Sequence, residues 1–120
     1  MGKSRQAFGR AFVVAFKGLG FALRNERNVQ LHFASTILVY ALAFYVKVSR
    51  IDLLWLSSAI ALVWVTELLN TSIEQLTNLV HPEHHPVAGR VKDLAAAAVL
   101  LASLYGIAVA ILIFYPYFFS

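Results

Sequence analysis

The chain has 120 residues, of which 60% are hydrophobic and 13% are charged, and its formal net charge is +4. An ordinary soluble domain carries about 25% charged residues, and a chain this short could not bury so much apolar surface in water. These values exclude an ordinary soluble domain and predict an integral membrane protein with a single domain over 1–120. The chain has no cysteine, which excludes disulfides and thiolate metal sites.

The first 30 residues combine basic and apolar side chains in a pattern that predicts an amphipathic helix over 5–28. The apolar residues recur at spacings of three and four, and they are Phe8, Phe12, Phe16, Leu19 and Leu23. The basic residues are Lys3, Arg5, Arg10, Lys17, Arg24 and Arg27. We expect this helix to lie in the membrane interface, although a helix that faces a protein core would show the same pattern. Charge is interspersed over the whole stretch, which argues against a cleavable signal peptide.

Three apolar stretches, over 31–47, 53–80 and 94–115, predict transmembrane helices because a bilayer core requires about 20 helical residues. Six Lys or Arg residues precede the first span, two lie in each loop and none follows the third span. A basic cluster also occurs in nucleic-acid-binding proteins, but beside a span it is typical of the inside-facing flank. By the positive-inside rule, we expect the N-terminus and the second loop to face the cytoplasm.

The second predicted span contains the segment that is most informative about function. Glu67, Asn70 and Glu74 are three and seven residues apart, which places them on one face of a helix. Ionisable side chains at membrane depth are costly and usually face a bundle interior or a functional cavity. Two carboxylates can divide the work of a reaction, one as a metal ligand and the other as a proton acceptor. A polar seam that only packs helices together is the alternative interpretation.

Further polar residues are expected near the cytoplasmic end of this strip. Glu26 ends the amphipathic helix at the same interface as Glu74, and the two carboxylates could hold Mg²⁺ together with substrate phosphates. A surface glutamate neutralised by its neighbouring arginines is an equally good interpretation of Glu26. Arg90 and Lys92, which precede the third span, could bind nucleotide phosphates or simply anchor the helix at the interface.

The second loop is rich in histidine but does not predict a zinc site. Its residues 81–86 contain the adjacent pair His84 and His85, which cannot share one helix face, and the chain has neither cysteine nor an HExxH motif. No glycine-rich phosphate loop is present either. Any nucleotide site must therefore be built in another way.

The segment Glu67-Leu-Leu-Asn70-Thr-Ser-Ile-Glu74 resembles the signature of the small bacterial membrane lipid kinases, the prokaryotic diacylglycerol kinase and undecaprenol kinase family. Further blocks are similar to the family in the same order along nearly the whole chain. They are Phe16-Lys-Gly-Leu, Arg24-Asn-Glu26-Arg-Asn28, His84-His-Pro86, and Lys92-Asp93 followed by Ala95 to Ala98. The resemblance implies an all-α integral membrane fold, with an N-terminal interfacial helix and three transmembrane helices, assembled as a homotrimer.

The resemblance also implies an activity: transfer of the γ-phosphate of MgATP to the hydroxyl of a membrane lipid alcohol at the bacterial inner membrane. Glu67 would be the general base, Asn70 would orient the reacting groups, and Glu26 with Glu74 would hold Mg²⁺. The residues expected at the nucleotide are Glu26, Glu74, Asn78, Lys92 and Asp93. The residues expected at the lipid substrate are Glu67 and Trp64.

One position departs from the family pattern. Members usually carry an aspartate where this chain has Asn78, and asparagine cannot supply its negative charge, which weakens a nucleotide or metal role there. Two blocks resemble the undecaprenol kinase branch more closely: Glu26-Arg27-Asn28 with His32, and His84-His85-Pro86. Undecaprenol is therefore the favoured substrate and diacylglycerol the next. The alternatives are a non-enzymatic membrane subunit, a catalytically weakened member of the family, and a small transporter with a proton relay of carboxylates.

Overall fold

The computed structural model describes the backbone of residues 2–119 and the side chains of residues 5–119. The side chain of Lys3, one of the predicted basic cluster, lies outside the described residues. Four helices follow one another along the chain: α1 (Gly2–Asn25), α2 (Arg27–Val46), α3 (Arg50–Val80) and α4 (Pro86–Phe119). The predicted all-helical architecture, with an N-terminal helix followed by three candidate membrane spans, is confirmed.

The three candidate spans differ in length. They contain 20, 31 and 34 residues, and a rise of 1.5 Å per residue makes them about 30, 46 and 51 Å long. A hydrocarbon core is about 30 Å thick, so α3 and α4 extend beyond it. The helix of the third span begins at Pro86, well before position 94, because proline has no backbone N–H to lose in the first helical turn.

The helix is interrupted at Glu26, between α1 and α2, so the surface helix ends before the predicted position 28. Glu26 has extended backbone angles and is the N-cap residue of α2. The side-chain amide of Asn25 donates to the carbonyl of Phe21 at 2.9 Å, and that of Gln30 donates to the carbonyl of Leu23 at 3.0 Å. These side chains satisfy carbonyls at the end of α1 that would otherwise favour continuing the helix. The resulting corner directs Glu26 towards α3.

Helix α1 leaves the bundle at an angle. The molecule measures 53 × 47 × 22 Å, and three helices side by side, each about 10–12 Å across, would not fill the second dimension. The aromatic face of α1 is exposed, with Phe8 and Phe16 at 70% and 69% of full accessibility. The basic residues of α1 from Arg5 onward are exposed as well. An exposed helix with separate apolar and basic faces has the character of an interfacial helix.

Close packing of α3 against α4 forms the centre of the bundle. Ala95 and Ala102 of α4 are buried, and Gly106 approaches Val63 of α3 closely enough that an added Cβ would lie 3.7 Å from its Cγ2. Such small side chains let helices approach in lipid, where no hydrophobic force draws them together. A buried apolar cluster lies towards the α2–α3 turn and consists of Ala43, Leu56, Ala59, Val109, Ile113 and Phe114.

Helix α2 is joined to α3 by a row of side-chain hydrogen bonds, which we call the α2–α3 seam. The Tyr40 hydroxyl donates to Ser57 Oγ at 2.8 Å, and Trp64 Nε1 donates to Thr36 Oγ1 at 2.8 Å. The third link joins His32 to Glu67 and is described below. The pairs follow the register of two antiparallel helices. The seam therefore fixes the height of α2 relative to the polar strip of α3.

Candidate active site

Glu67, Asn70 and Glu74 lie on one inward face of α3, and we call this set the polar strip. Glu67 and Asn70 are only 2% and 6% exposed, and Glu74 is half-buried. The Asn70 side-chain amide donates to Glu74 Oε1 at 3.2 Å. The predicted alignment is therefore present in the structure. The strip faces the protein interior, as membrane-embedded ionisable groups usually do.

The buried carboxylate of Glu67 is held by a residue of another helix. Nε2 of His32 lies 3.2 Å from Oε2 of Glu67. An ionised carboxylate only accepts hydrogen bonds, so Nε2 of His32 is the donor whenever Glu67 is ionised. The other carboxylate oxygen, Oε1, makes no hydrogen bond among the side chains that the structure describes. It is thus free to accept one from a substrate.

The side-chain nitrogen of Asn70 donates a hydrogen bond, whereas its side-chain oxygen accepts none from residues 5–119. Its Oδ1 is buried and finds no hydrogen-bond partner within residues 5–119. An unsatisfied buried acceptor costs about 1–3 kcal/mol, and each such atom in a native structure calls for an explanation. A bound donor or cation at the strip would satisfy this oxygen. The orphaned atom therefore marks the strip as a place where a ligand fits.

Glu26 reaches the same end of the bundle as Glu74. Gln75, the residue after Glu74, donates from Nε2 to Glu26 Oε1 at 3.4 Å. No direct bond joins the two carboxylates, and the described residues contain no group of three or more His, Cys, Asp or Glu side chains that could hold a metal ion. Mg²⁺ does not need such a group, because it keeps several waters and takes one or two protein carboxylates plus substrate phosphates. Glu26 and Glu74 are two carboxylates of the type and number that this requirement names.

Lys92 of α4 is positioned by Asn78 of α3. Lys92 Nζ donates a short hydrogen bond to Asn78 Oδ1. The partner is neutral, so it orients the ammonium group without cancelling its charge. The next residue, Asp93, is exposed and makes no polar side-chain contact within the described part of the chain. The structure thus joins Lys92 to Asn78 but does not bring Asp93 to either of them.

Trp64, expected at the lipid substrate, lines an open groove between α2, α3 and α4. The groove has a volume of about 330 Å³ and an almost wholly apolar lining. His32 and Trp64 lie at the end nearest Glu67, and Leu56 lies towards the other. From Glu67 to Leu56 is 11 residues, or about 16 Å along a helix. Glu67 itself does not line the groove but follows Trp64 by about one helical turn.

Two contacts of this site were not predicted. His32 entered through the resemblance to the undecaprenol kinase branch and was not paired with Glu67. Asn78 was assigned to the nucleotide but not as the acceptor for Lys92. Both contacts join residues of different helices, 35 and 14 positions apart. In the first case, a single histidine within an otherwise uncharged span was the available signal.

Comparison with known proteins identifies the family. The model of the prokaryotic diacylglycerol kinase family matches residues 13–114, a range that includes the second half of α1, all of α2 and α3, most of α4 and every candidate site residue. The chain belongs to this family. The kinase is similar to undecaprenol kinase of Bacillus subtilis (strain 168), with 37% identity over 109 residues, 91% of this chain and 89% of that protein. It is 32% identical to diacylglycerol kinase of Escherichia coli (strain K12) over 93 residues, 78% of this chain and 76% of that protein.

Membership of the family confirms two expectations from the sequence. The chain is a lipid kinase, and its three apolar helices make it an integral membrane protein. The relatives are enzymes by name, which favours the kinase over the non-enzymatic subunit and the transporter. The polar strip and the groove are therefore the candidate sites for the reaction of this kinase.

Proposed function

We propose that this kinase transfers the γ-phosphate of ATP to the hydroxyl of a membrane lipid alcohol, with undecaprenol as the first candidate and diacylglycerol as the second. The observation that supports this proposal best is a buried carboxylate, Glu67, with one oxygen held by His32 and the other free, beside an apolar groove. A base at that position can meet a hydroxyl group that arrives from lipid. An aqueous nucleotide could approach near the C-terminal end of α3, where Glu26, Glu74 and Lys92 lie.

In the proposed reaction, Glu67 Oε1 accepts the proton of the lipid hydroxyl as its oxygen forms a bond to the γ-phosphorus. The bond between the γ-phosphorus and the bridging oxygen breaks, and ADP leaves. Glu26 and Glu74 would hold Mg²⁺, which neutralises charge on the phosphates when bound. Asn70 orients Glu74 through the bond described above. Phosphoryl transfer depends mainly on positioning and charge neutralisation; the polar strip of α3 would supply positioning, whereas Mg²⁺ and Lys92 would supply charge neutralisation.

The assembly and orientation in the membrane are part of the same proposal. We expect a homotrimer in the bacterial inner membrane, with the N-terminus and the α3–α4 loop in the cytoplasm. The basic residues of α1 and the position of the nucleotide candidates at that end support this orientation. Large apolar side chains are exposed on every helix of the single chain, which leaves surface for both lipid and further copies. Asp93 makes no polar side-chain contact within the described residues, so we expect any partner for it to come from the nucleotide or from a neighbouring copy.

The groove supports a lipid substrate without selecting one. Its volume of about 330 Å³ is at the lower end of the 300–1,000 Å³ that is typical of small-molecule sites. It can take the polar end of a lipid and a short piece of chain, while the rest lies in the bilayer. The greater identity to the undecaprenol kinase supports the isoprenoid alcohol as first candidate.

The test is direct. Purified protein in detergent is given labelled ATP, Mg²⁺ and one lipid alcohol at a time, and the phosphorylated lipid is identified. We expect transfer to undecaprenol to have the highest kcat/KM, with less transfer to diacylglycerol. A higher kcat/KM on diacylglycerol would reverse the order of substrates, and no transfer to any lipid alcohol would contradict the proposed function.

A change at Lys92 tests the nucleotide site. Lys92→Met is expected to raise the KM for ATP by about 10- to 100-fold, because a hydrogen bond to a charged group contributes roughly 1.5–3 kcal/mol. The kcat for phosphate transfer should change less, since Lys92 is remote from Glu67. The measurement is a series of initial rates at varied ATP and saturating lipid.

Lys47→Met is the matched control for this change. Lys47 lies in the α2–α3 turn, at the opposite end of the bundle, so its loss should leave the KM for ATP unaltered. An equal rise in both variants would indicate a general effect of net charge and would remove Lys92 from the nucleotide site.

A further inference from the structure

We propose that His32 is a positioning residue for the reaction: it holds one oxygen of Glu67 so that the other faces the lipid hydroxyl. This inference rests on the proposed role of Glu67 as the general base. It adds a residue from a second helix to the machinery of α3. It also explains why the polar strip begins at the depth where α2 carries its only histidine.

The contact itself is the first part of the argument. His32 Nε2 lies 3.2 Å from Glu67 Oε2, and the Glu67 side chain is 3% exposed. Among the side chains of residues 5–119, His32 is the only one that forms a hydrogen bond to this carboxylate. The nearby hydroxyl of Thr71 donates to the backbone carbonyl of Glu67 instead, at 3.0 Å. Without His32, this buried carboxylate would have no side-chain hydrogen-bond donor among the described residues, and a buried polar group without a partner is costly.

The position of His32 is fixed by its own surroundings. Thr36 donates from Oγ1 to the backbone carbonyl of His32 at 2.7 Å. The same Thr36 oxygen accepts from Trp64 Nε1 of α3 at 2.8 Å. Trp64 precedes Glu67 by about one helical turn, so α2 and α3 are joined immediately beside the His32–Glu67 contact. These bonds fix the height of the α2 backbone at His32 relative to α3, so the imidazole reaches the carboxylate from a defined position.

The groove gives this orientation a purpose. His32 and Trp64 both line its end near Glu67, together with Ser35 and Thr36, and most of the lining surface is apolar. Glu67 itself does not line the groove but follows Trp64 by about one helical turn, so a lipid hydroxyl at this end of the groove would lie within about one turn of it. Because Oε2 is held by His32, the free Oε1 is the oxygen left for the hydroxyl. His32 thereby selects which face of the carboxylate accepts the proton.

A purely structural role for His32, as one more link in the α2–α3 seam, makes different predictions. We propose to compare four variants by kcat and by the KM values for lipid and for ATP. His32→Leu and His32→Asn both remove the donor, the second because its shorter amide does not reach Glu67. His32→Gln keeps an amide donor near the position of Nε2. Tyr40→Phe removes another seam hydrogen bond, to Ser57, at a residue that touches neither Glu67 nor the groove.

The expected result is a fall in kcat of about 10- to 100-fold in His32→Leu and His32→Asn, the range for a lost hydrogen bond to a charged group. The KM for ATP should stay the same. His32→Gln should recover most of the kcat, and Tyr40→Phe should keep the wild-type value. Thermal unfolding in detergent is measured for each variant, and should His32→Leu fail to fold, the comparison of His32→Asn with His32→Gln carries the test.

Two results would overturn the role of His32. One is a wild-type kcat in both donor-free variants. The other is an equal fall in all four variants, which would make the histidine a structural link only. Both differ from a failure of the proposed function, in which the wild-type protein itself transfers no phosphate to any lipid alcohol. That outcome would remove the general base and the positioning residue together.

Discussion

Replacing Glu67 with glutamine is expected to lower kcat for phosphate transfer to lipid by about 10²- to 10⁴-fold, the contribution typical of a general base. The glutamine side chain has nearly the same size and still offers a carbonyl oxygen to His32 Nε2. It has no free carboxylate oxygen to accept the proton of the lipid hydroxyl. The protein should therefore fold and bind both substrates while the chemical step fails. The measurement is kcat at saturating ATP and lipid, together with the KM for each.

Glu83→Gln is the matched control for this experiment. Glu83 lies in the exposed loop between α3 and α4, and the same change of chemistry there should leave kcat unaltered. If Glu67→Gln retained near wild-type kcat in protein with normal thermal unfolding, Glu67 would not be the base. If Glu67→Gln lost both kcat and the folded state, the test would be repeated with Glu67→Asp. This variant keeps a carboxylate on a side chain that is shorter by one methylene group.

The second large effect is expected in the dependence on Mg²⁺. Glu26→Gln and Glu74→Gln should each raise the Mg²⁺ concentration for half-maximal activity by about 10-fold or more. A carboxylate 4 Å from a unit charge is worth about 1 kcal/mol in water and about 4 kcal/mol near a protein surface, and each 1.4 kcal/mol is tenfold in affinity. Activity should return at high Mg²⁺, because the rest of the site is intact. The measurement is the initial rate over a Mg²⁺ titration at fixed ATP.

The Glu26→Gln and Glu74→Gln variants test whether each carboxylate binds Mg²⁺ and also whether both bind the same ion. If Glu26 and Glu74 share one Mg²⁺, the double variant should require more Mg²⁺ than either single one, and neither single change should alter the KM for lipid. Asp52→Asn provides the control, since this carboxylate lies in the first turn of α3 at the far end of the bundle. If both single variants kept the wild-type dependence on Mg²⁺, the proposal that Glu26 and Glu74 share one ion would be wrong.

The polar strip could be found from sequence because it depends on one helix only. The spacing of Glu67, Asn70 and Glu74 fixes a common face by helical geometry alone, and the structure places two of them in the interior and bonds the third to Asn70. The spans could be found for a similar reason, since the length of apolar runs is a local property. Trp64 was assigned to the lipid, and the structure places it on the groove.

The contacts between helices could not be found in this way. His32 meets Glu67 only because the two helices run antiparallel in one register, and no local pattern encodes that register. The same holds for Lys92 and Asn78, which meet across the α3–α4 loop. Glu26 was expected at the end of the amphipathic helix, as the structure has it, but the predicted bound of 28 ran past it, because the signal is the local competition of the Asn25 and Gln30 side chains for carbonyls at the end of α1. Helical periodicity continues through that point and hides it.

The contrast between the packed α3–α4 pair and the hydrogen-bonded α2–α3 seam has a consequence for how the surrounding lipid acts on this kinase. Hydrogen bonds between membrane helices contribute on average about 0.6 kcal/mol each, and mismatch between a helix and the bilayer costs fractions of a kcal/mol per Å. These energies are of similar size, and α2 is only about 30 Å long whereas α3 and α4 are considerably longer. A thinner or thicker bilayer therefore acts most directly on the height of α2. Membrane thickness becomes a variable that sets how well the two catalytic helices stay in register.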